Sequence, residues 1–198
     1  MEKNFPHQLR QLQQQYPSGM LRVWAFDEHR VGLKPTQKRA WFPWWEVPLA
    51  PFKWKFEWSW VYGLVEPTTG TTEWYIMPRV NHQSLSMVLK DFAMTHHIDE
   101  RHPAVIVLDN ARWHTTSKLK TLPGLHLLFL PPYSPELQPA ERLWSPLDEP
   151  VVNRYFDSID ELEEVLAERC VQLTRQPEYM KSLTHFHWWP DLHDTVSI

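Results

Sequence analysis

The segment A-V-I-V-L-D-N-A-R-W-H, residues 104–114, decides how the fold is interpreted. Its first five residues are apolar, three of them are β-branched, and this pattern is typical of a buried strand. Asp109 stands at the carboxyl end of that strand. A carboxylate in this position is either a turn-forming residue or a ligand, and this segment alone leaves both roles open.

The rest of the chain predicts several strands and helices around this segment. We expect strands at residues 21–28, 39–42, 59–65, 74–77 and 125–130, and helices at residues 81–97, 115–122, from about 140, and after Ser158. An antiparallel meander followed by strand–helix alternation is the element order of an α/β, ribonuclease H-like fold with a mixed central sheet flanked by helices. In that fold the first and fourth strands lie side by side.

Two acidic residues are therefore expected at neighbouring strand ends. Asp27 ends the first predicted strand and Asp109 ends the central one, while Glu141 lies in the first turn of the helix near residue 140. Carboxylates that close together repel one another unless a divalent cation lies between them. Three carboxylates without cysteine partners favour Mg2+ or Mn2+, and two such ions support phosphoryl transfer.

Three sequence blocks resemble a known family. F-D-E-H (26–29), V-L-D-N-A-R-W-H (107–114) and L-P-P-Y-S-P-E-L-Q-P-A-E-R-L-W (130–144) resemble the signature blocks of DDE-type transposases, in the bacterial insertion-sequence branch of the mariner-like superfamily. The resemblance implies that Asp27, Asp109 and Glu141 are the catalytic, metal-binding triad, although the 31 residues between the last two are slightly fewer than usual. It also implies Mg2+-dependent cleavage at transposon ends and strand transfer into target DNA.

The roles of the other polar residues of these blocks are left open by the sequence. Asn110 and His114 recur in the family block, and His114 either contacts the scissile phosphate, orients a carboxylate, or is a packed histidine that caps the next helix. Glu28 should point to the opposite face of the strand from Asp27 and have a supporting role. We assign no ion to the remaining histidines with loosely metal-like spacing, His96, His97, His185, His187 and His193.

Basic and aromatic residues alternate between residues 30 and 55. Six basic residues oppose a single acid, Glu46: Arg30, Lys34, Lys38, Arg39, Lys53 and Lys55. Basic side chains separated by stacking surfaces suit a nucleic-acid groove, and we expect Arg30, Lys34, Lys53 and Lys55 to contact double-stranded DNA. The alternative is a hairpin with an aromatic core, of which Trp44 and Trp45 would be the first members.

Length and charge favour one intracellular catalytic domain. We expect an arm at residues 1–20, the catalytic domain at 21–157, and a C-terminal helix and tail at 158–198. The net charge of −4 is unevenly distributed, because residues 1–145 carry 16 basic and 13 acidic side chains and residues 146–198 carry 4 basic and 11 acidic ones.

The lone cysteine, Cys170, should be buried. Without a signal peptide or an apolar span, we expect no membrane association and a bacterial cytoplasmic location, at the nucleoid when bound to DNA.

Two features of the sequence depart from the pattern of the family. Pro146 and Pro150 should shorten or kink the helix that carries Glu141. Fewer than 30 residues precede Asp27, so we expect a helix-turn-helix recognition domain to act in trans and the protein to be a homodimer on DNA. The alternatives are a noncatalytic or repurposed DNA-binding remnant of a transposase and a ribonuclease H-like nuclease.

Overall fold

Within the residues that the structure describes, a five-stranded sheet with helices on both faces forms the framework of the protein. The computed structural model describes residues 4–16, 21–34, 43–45, 55–132 and 134–189. The strands are β1 (Arg22–Gly32), β2 (Trp58–Glu66), β3 (Thr71–Met77), β4 (Ala104–Leu108) and β5 (Leu125–Phe129). The helices are α1 (Asn4–Gln15), α2 (His82–Thr95), α3 (Trp144–Asp148), α4 (Ile159–Thr174) and α5 (Pro177–Thr184), with 3-10 helices at Pro135–Leu137 and Pro139–Leu143.

The sheet is mixed, with the strand order β3-β2-β1-β4-β5. The meander β1–β2–β3 is antiparallel, whereas β4 pairs in parallel with both β1 and β5. The first and fourth strands are therefore neighbours. The predicted α/β, ribonuclease H-like fold is confirmed.

Alternation along the strands divides the core into two layers. Val23 and Ala25 face one hydrophobic cluster, which includes residues of α3, α4 and α5. Trp24 and Phe26 face the other, which includes the buried residues of α2. Since successive side chains of a strand point to opposite faces, Asp27 extends the row of Val23 and Ala25 and faces α3.

Two predicted helix starts are confirmed by their caps. Asn81 Oδ1 accepts a hydrogen bond from the Ser84 N–H at 2.8 Å, and Ser158 Oγ accepts one from the Glu161 N–H at 3.2 Å. Each satisfies an N–H group that has no partner within its helix. Cys170 lies in the core on α4, as predicted, and its burial raises the pKa of the thiol to about 12.

The first strand is longer than the sequence predicted. It continues to Gly32, because β2 supplies a partner for its second part, from Ala25 opposite Val65 to Gly32 opposite Trp58. The prediction that Asp27 ends the strand is therefore wrong. Its parallel pairing with β4 nevertheless ends at Ala25, so Asp27 still lies just beyond the β1–β4 ladder.

The helix predicted at residues 115–122 is also wrong, because only turns are present there. The Thr115 hydroxyl donates to the Ala111 carbonyl at 3.4 Å, and the Lys118 N–H donates to Thr116 Oγ1 at 3.3 Å. Thr116 thus takes a backbone N–H that a helix would pair with a carbonyl oxygen, whereas the Thr115 N–H still donates to the Ala111 carbonyl at 3.2 Å. The strand predicted at residues 39–42 lies outside the described residues.

The helix after the proline-rich loop is short, as expected: α3 ends at Asp148, before Pro150, although Pro146 lies within it. Glu141 lies in the 3-10 helix Pro139–Leu143, and the five-residue α3 follows it. All helices among the described residues are too short or too polar to cross a membrane.

Candidate active site

Asp27 is a partly buried carboxylate on β1. Its Oδ2 accepts a hydrogen bond from Trp144 Nε1 at 2.8 Å. Burial raises the pKa of Asp27 to about 7; the negative charges of Glu141 and Glu28 add to this rise, and the hydrogen bond from Trp144 opposes it. Burial and two acidic neighbours therefore both disfavour the charged form of Asp27.

Asp109 directly follows β4 and has a different environment. Its Oδ1 accepts from the Ala111 N–H at 2.9 Å and contacts His114 Nδ1 at 2.7 Å, and its side chain is 59% exposed. The contact with His114, together with the bond from Ala111, lowers the pKa of Asp109 despite partial burial. Asp109 is thus ionised and held in one orientation.

A single cleft brings the three predicted carboxylates together. Its volume is about 520 Å³, and Asp27, Asp109 and Glu141 all line it, although they belong to β1, to the segment after β4 and to a 3-10 helix. Within the described residues, three or more His, Cys, Asp or Glu side chains are nowhere clustered tightly enough to hold a metal ion. The carboxylates share a cleft without forming a finished coordination sphere.

His114 connects Asp109 to a carboxylate on the opposite face of the sheet. His114 is buried, and its Nε2 lies 2.9 Å from Glu28 Oε1, which also accepts from Trp113 Nε1 at 3.0 Å. Burial disfavours the charged imidazole, but the hydrogen bonds to Asp109 and Glu28 outweigh it and raise the pKa of His114 to about 9. His114 is therefore an imidazolium between two carboxylates.

Asn110 and Gln138 also line the cleft. Asn110 Nδ2 donates to the Leu130 carbonyl, which ties the segment after β4 to the start of the proline-rich loop. Gln138 is buried, and its Nε2 donates to the Phe26 carbonyl at 2.9 Å, immediately before Asp27.

Sequence reasoning assigned no role to Gln138 or Trp144, although both lie in the third quoted block. The buried indole of Trp144 was a usable signal, because a tryptophan N–H inside a protein needs an acceptor. Its partner Asp27 is 117 positions away in the chain, so the sequence did not indicate which acceptor it would find.

The predicted DNA-contacting residues are only partly described. Arg30 is exposed, with its guanidinium 5.3 Å from the Trp58 ring centroid, and Lys34 is also exposed. Lys55 donates its ammonium to the Asp157 carbonyl at 2.6 Å, while Lys53 lies outside the described residues. The alternative of an aromatic hairpin core is wrong for its first members, since Trp44 is 92% exposed and Trp45 71% exposed.

In the mixed sheet, β1 and β4 are parallel neighbours, and carboxylates lie just beyond the carboxyl end of their ladder. This is the ribonuclease H-like fold of DDE-type transposase catalytic domains. The chain belongs to the DDE superfamily endonuclease family, whose model matches residues 22–163. This confirms the resemblance of the three sequence blocks and the predicted class of enzyme. A Sinorhizobium fredii (strain NBRC 101917 / NGR234) protein, the uncharacterized protein y4pE/y4sA, is 31% identical over 132 residues, which are 66% of this chain and 96% of that protein.

Solved structures of similar fold include the mariner Mos1 paired-end complex with Mg, at a TM-score of 0.60 and 17% identity over 93% of this chain and 59% of that one. The Mos1 mariner paired-end complex with Mn has a TM-score of 0.56 and 14% identity, over 94% and 62% of the two chains. The Mos1 strand transfer complex has a TM-score of 0.54 and 14% identity, over 94% and 61%. The present chain thus spans about three fifths of the length of these Mos1 chains.

Proposed function

We propose that this chain is a transposase catalytic domain that cleaves DNA at insertion-sequence ends and transfers the cleaved strand into target DNA. Asp27, Asp109 and Glu141 would hold Mg2+ or Mn2+, as two ions. The observation that carries this proposal is that acidic side chains from three separate elements line one cleft.

The donor set fits a hard divalent cation. The three carboxylates supply oxygen ligands, and Glu141 and Glu28 place negative charge near Asp27 that a cation would neutralise. When bound, such ions activate a water or a 3′-hydroxyl and stabilise the leaving oxygen of a phosphoryl transfer. Glu141 is exposed, so rotation of its side chain toward Asp27 and Asp109 is available to complete the site.

The family and the fold support double-stranded DNA as the substrate. The similar Mos1 structures are described as paired-end and strand transfer complexes, with Mg and Mn in two of them. Arg30, exposed beside Trp58, gives β1 a cationic and stacking surface suited to a phosphate backbone. We propose further that the protein acts as a homodimer on DNA and with a helix-turn-helix recognition domain supplied in trans.

The test is cleavage of transposon-end duplex in Mg2+ or Mn2+, with the recognition domain supplied in cis or in trans. Cleavage should stop in EDTA and in Asp109→Asn, which preserves side-chain shape while removing the charge that holds the ion. The matched control is Glu100→Gln, because exposed Glu100 precedes β4, at the strand end opposite Asp109. An Asp109→Asn variant that cleaves as well as the parent would contradict the assignment.

A noncatalytic DNA-binding remnant is the second candidate. It is favoured by the loose arrangement of the carboxylates within the described residues and by the pairing of Asp109 with His114. DNA binding without cleavage by the parent protein, with authentic ends and recognition domain present, would support it. Cleavage confined to RNA–DNA hybrids would instead indicate a ribonuclease H-like nuclease.

A further inference from the structure

Trp144 lies directly against the strand pair that carries Asp27. In the β1–β2 ladder, Asp27 is paired with Gly63. An added Cβ at Gly63 would lie 2.9 Å from Cη2 of Trp144 and 3.0 Å from Cδ1 of Leu143. These distances are shorter than ordinary carbon contacts, so any larger residue at position 63 would displace the indole.

The requirement for glycine at position 63 is one of space and not of backbone conformation. Among the described residues, the glycines with positive φ are Gly70 and Gly124, and Gly63 is in an ordinary strand. Glycine within a strand weakens it, because it loses more backbone entropy and packs no side chain. A close approach of another group is the usual reason for such a residue, and here that group is the indole.

The indole is held on further sides. The His29 ring stacks on it, with centroids 5.0 Å apart and an interplanar angle of 13°. His29 Nε2 lies 2.9 Å from Oδ1 of the buried Asp148. Trp74 adds an edge contact, with centroids 6.4 Å apart. These contacts fix the direction of the Nε1–H group of Trp144, which donates to Asp27 Oδ2 at 2.8 Å.

We propose that Trp144, seated on Gly63, is a positioning residue that sets the orientation of the Asp27 carboxylate for divalent-cation binding. The proposal rests on the proposed function, because it assumes that Asp27 is a ligand. Without the N–H group, the carboxylate loses the partner that holds one of its oxygens. Loss of a hydrogen bond to a ligating carboxylate typically weakens metal binding about 10- to 100-fold.

The test is calorimetric titration of the metal-free protein with Mn2+ at fixed pH. Trp144→Phe keeps an aromatic ring but removes the N–H group, and its Mn2+ Kd should rise by about 10-fold or more. Trp60→Phe is the matched control, because Trp60 of β2 packs in the hydrophobic cluster on the face of the sheet opposite Trp144. Its Kd should stay within about twofold of the parent, since it leaves the ligand contact intact.

Gly63→Ala provides a second route if Trp144→Phe fails to fold. It should raise the Mn2+ Kd by displacing the indole. The double variant Gly63→Ala/Trp144→Phe should have a Kd no higher than that of Trp144→Phe alone, because both changes remove the same contact. Unchanged Mn2+ affinity in Trp144→Phe, or an equal loss in Trp60→Phe, would overturn the inference.

Asp109→Asn separates this inference from the proposed function. A parent protein that binds no Mn2+, or binds it as tightly as Asp109→Asn, refutes the metal site and the inference together. A parent that loses affinity in Asp109→Asn but not in Trp144→Phe refutes the inference alone.

Discussion

His114 Nδ1 lies 2.7 Å from Asp109 Oδ1, so a buried imidazole holds the exposed carboxylate that follows the central strand. The other ring nitrogen contacts Glu28, which belongs to a different strand and to the face opposite Asp27. The two strands that supply the proposed metal ligands are thereby connected through one charged side chain.

This connection predicts a pH dependence of stability. The pKa of His114 is raised in the folded protein to about 9, so the stabilisation from its charge is complete below the unfolded value of about 6.5 and is lost as pH rises through 9. It also fades below about pH 4, as Asp109 becomes protonated.

The measurement is urea unfolding of the parent and His114→Gln in EDTA. The parent should have its largest advantage in free energy of unfolding between about pH 4 and 6.5, and the smallest above pH 9. A difference that stays constant from pH 5 to 9 would mean that the charge of His114 does not stabilise the fold.

Asp27 should destabilise the metal-free protein at neutral pH. Its pKa is raised from 3.8 to about 7, so folding becomes less favourable as pH rises from 4 to 7, and the penalty is complete above 7. At pH 8, the free energy of unfolding of Asp27→Asn should therefore exceed that of the parent by on the order of 2–4 kcal/mol, measured by urea unfolding. At pH 5 the difference should be smaller. Equal stability of the two proteins at pH 8 would contradict the raised pKa.

Arg30 should contribute to duplex binding through a phosphate contact. Arg30→Glu should weaken binding and reduce the slope of log K against log salt by about 1, because fewer counterions are released. The same change at exposed Lys90, on α2, is the control and should leave the slope nearly unaltered. Lys55→Glu should have a smaller effect than Arg30→Glu, because the Lys55 ammonium already donates to Asp157. If Arg30→Glu matches the Lys90 control, the basic surface lies elsewhere.

Gly70 should be irreplaceable in the turn between β2 and β3. Its φ is +75°, and an added Cβ would overlap the Pro177 carbonyl oxygen, at the start of α5. Gly70→Ala should cost more than about 2 kcal/mol of unfolding free energy, through backbone strain and displacement of α5. Thr68→Ala in the same turn should change it by less than about 0.5 kcal/mol. Similar urea midpoints for both variants would show that α5 moves away at little cost.

Local sequence determined the elements whose signals lie within a few residues. The apolar run at residues 104–108 predicted β4 and placed Asp109 at its end, and Asn81 and Ser158 predicted the starts of α2 and α4. The signature blocks identified the family and proposed the three carboxylates. These features depend on periodicity, helix caps and adjacent residues, which are local properties of the sequence.

Only the tertiary structure decided how those carboxylates are held. Asp27 meets Trp144, and Glu28 meets His114, at separations of 117 and 86 positions in the chain. The extension of β1 beyond Asp27 depends on its register with β2. Such contacts arise from strand pairing and from packing of α3 against the sheet, and a local pattern does not specify them. Residue order therefore determined which acidic groups are available, whereas packing determined which of them is buried, which is ionised, and which donor orients each one.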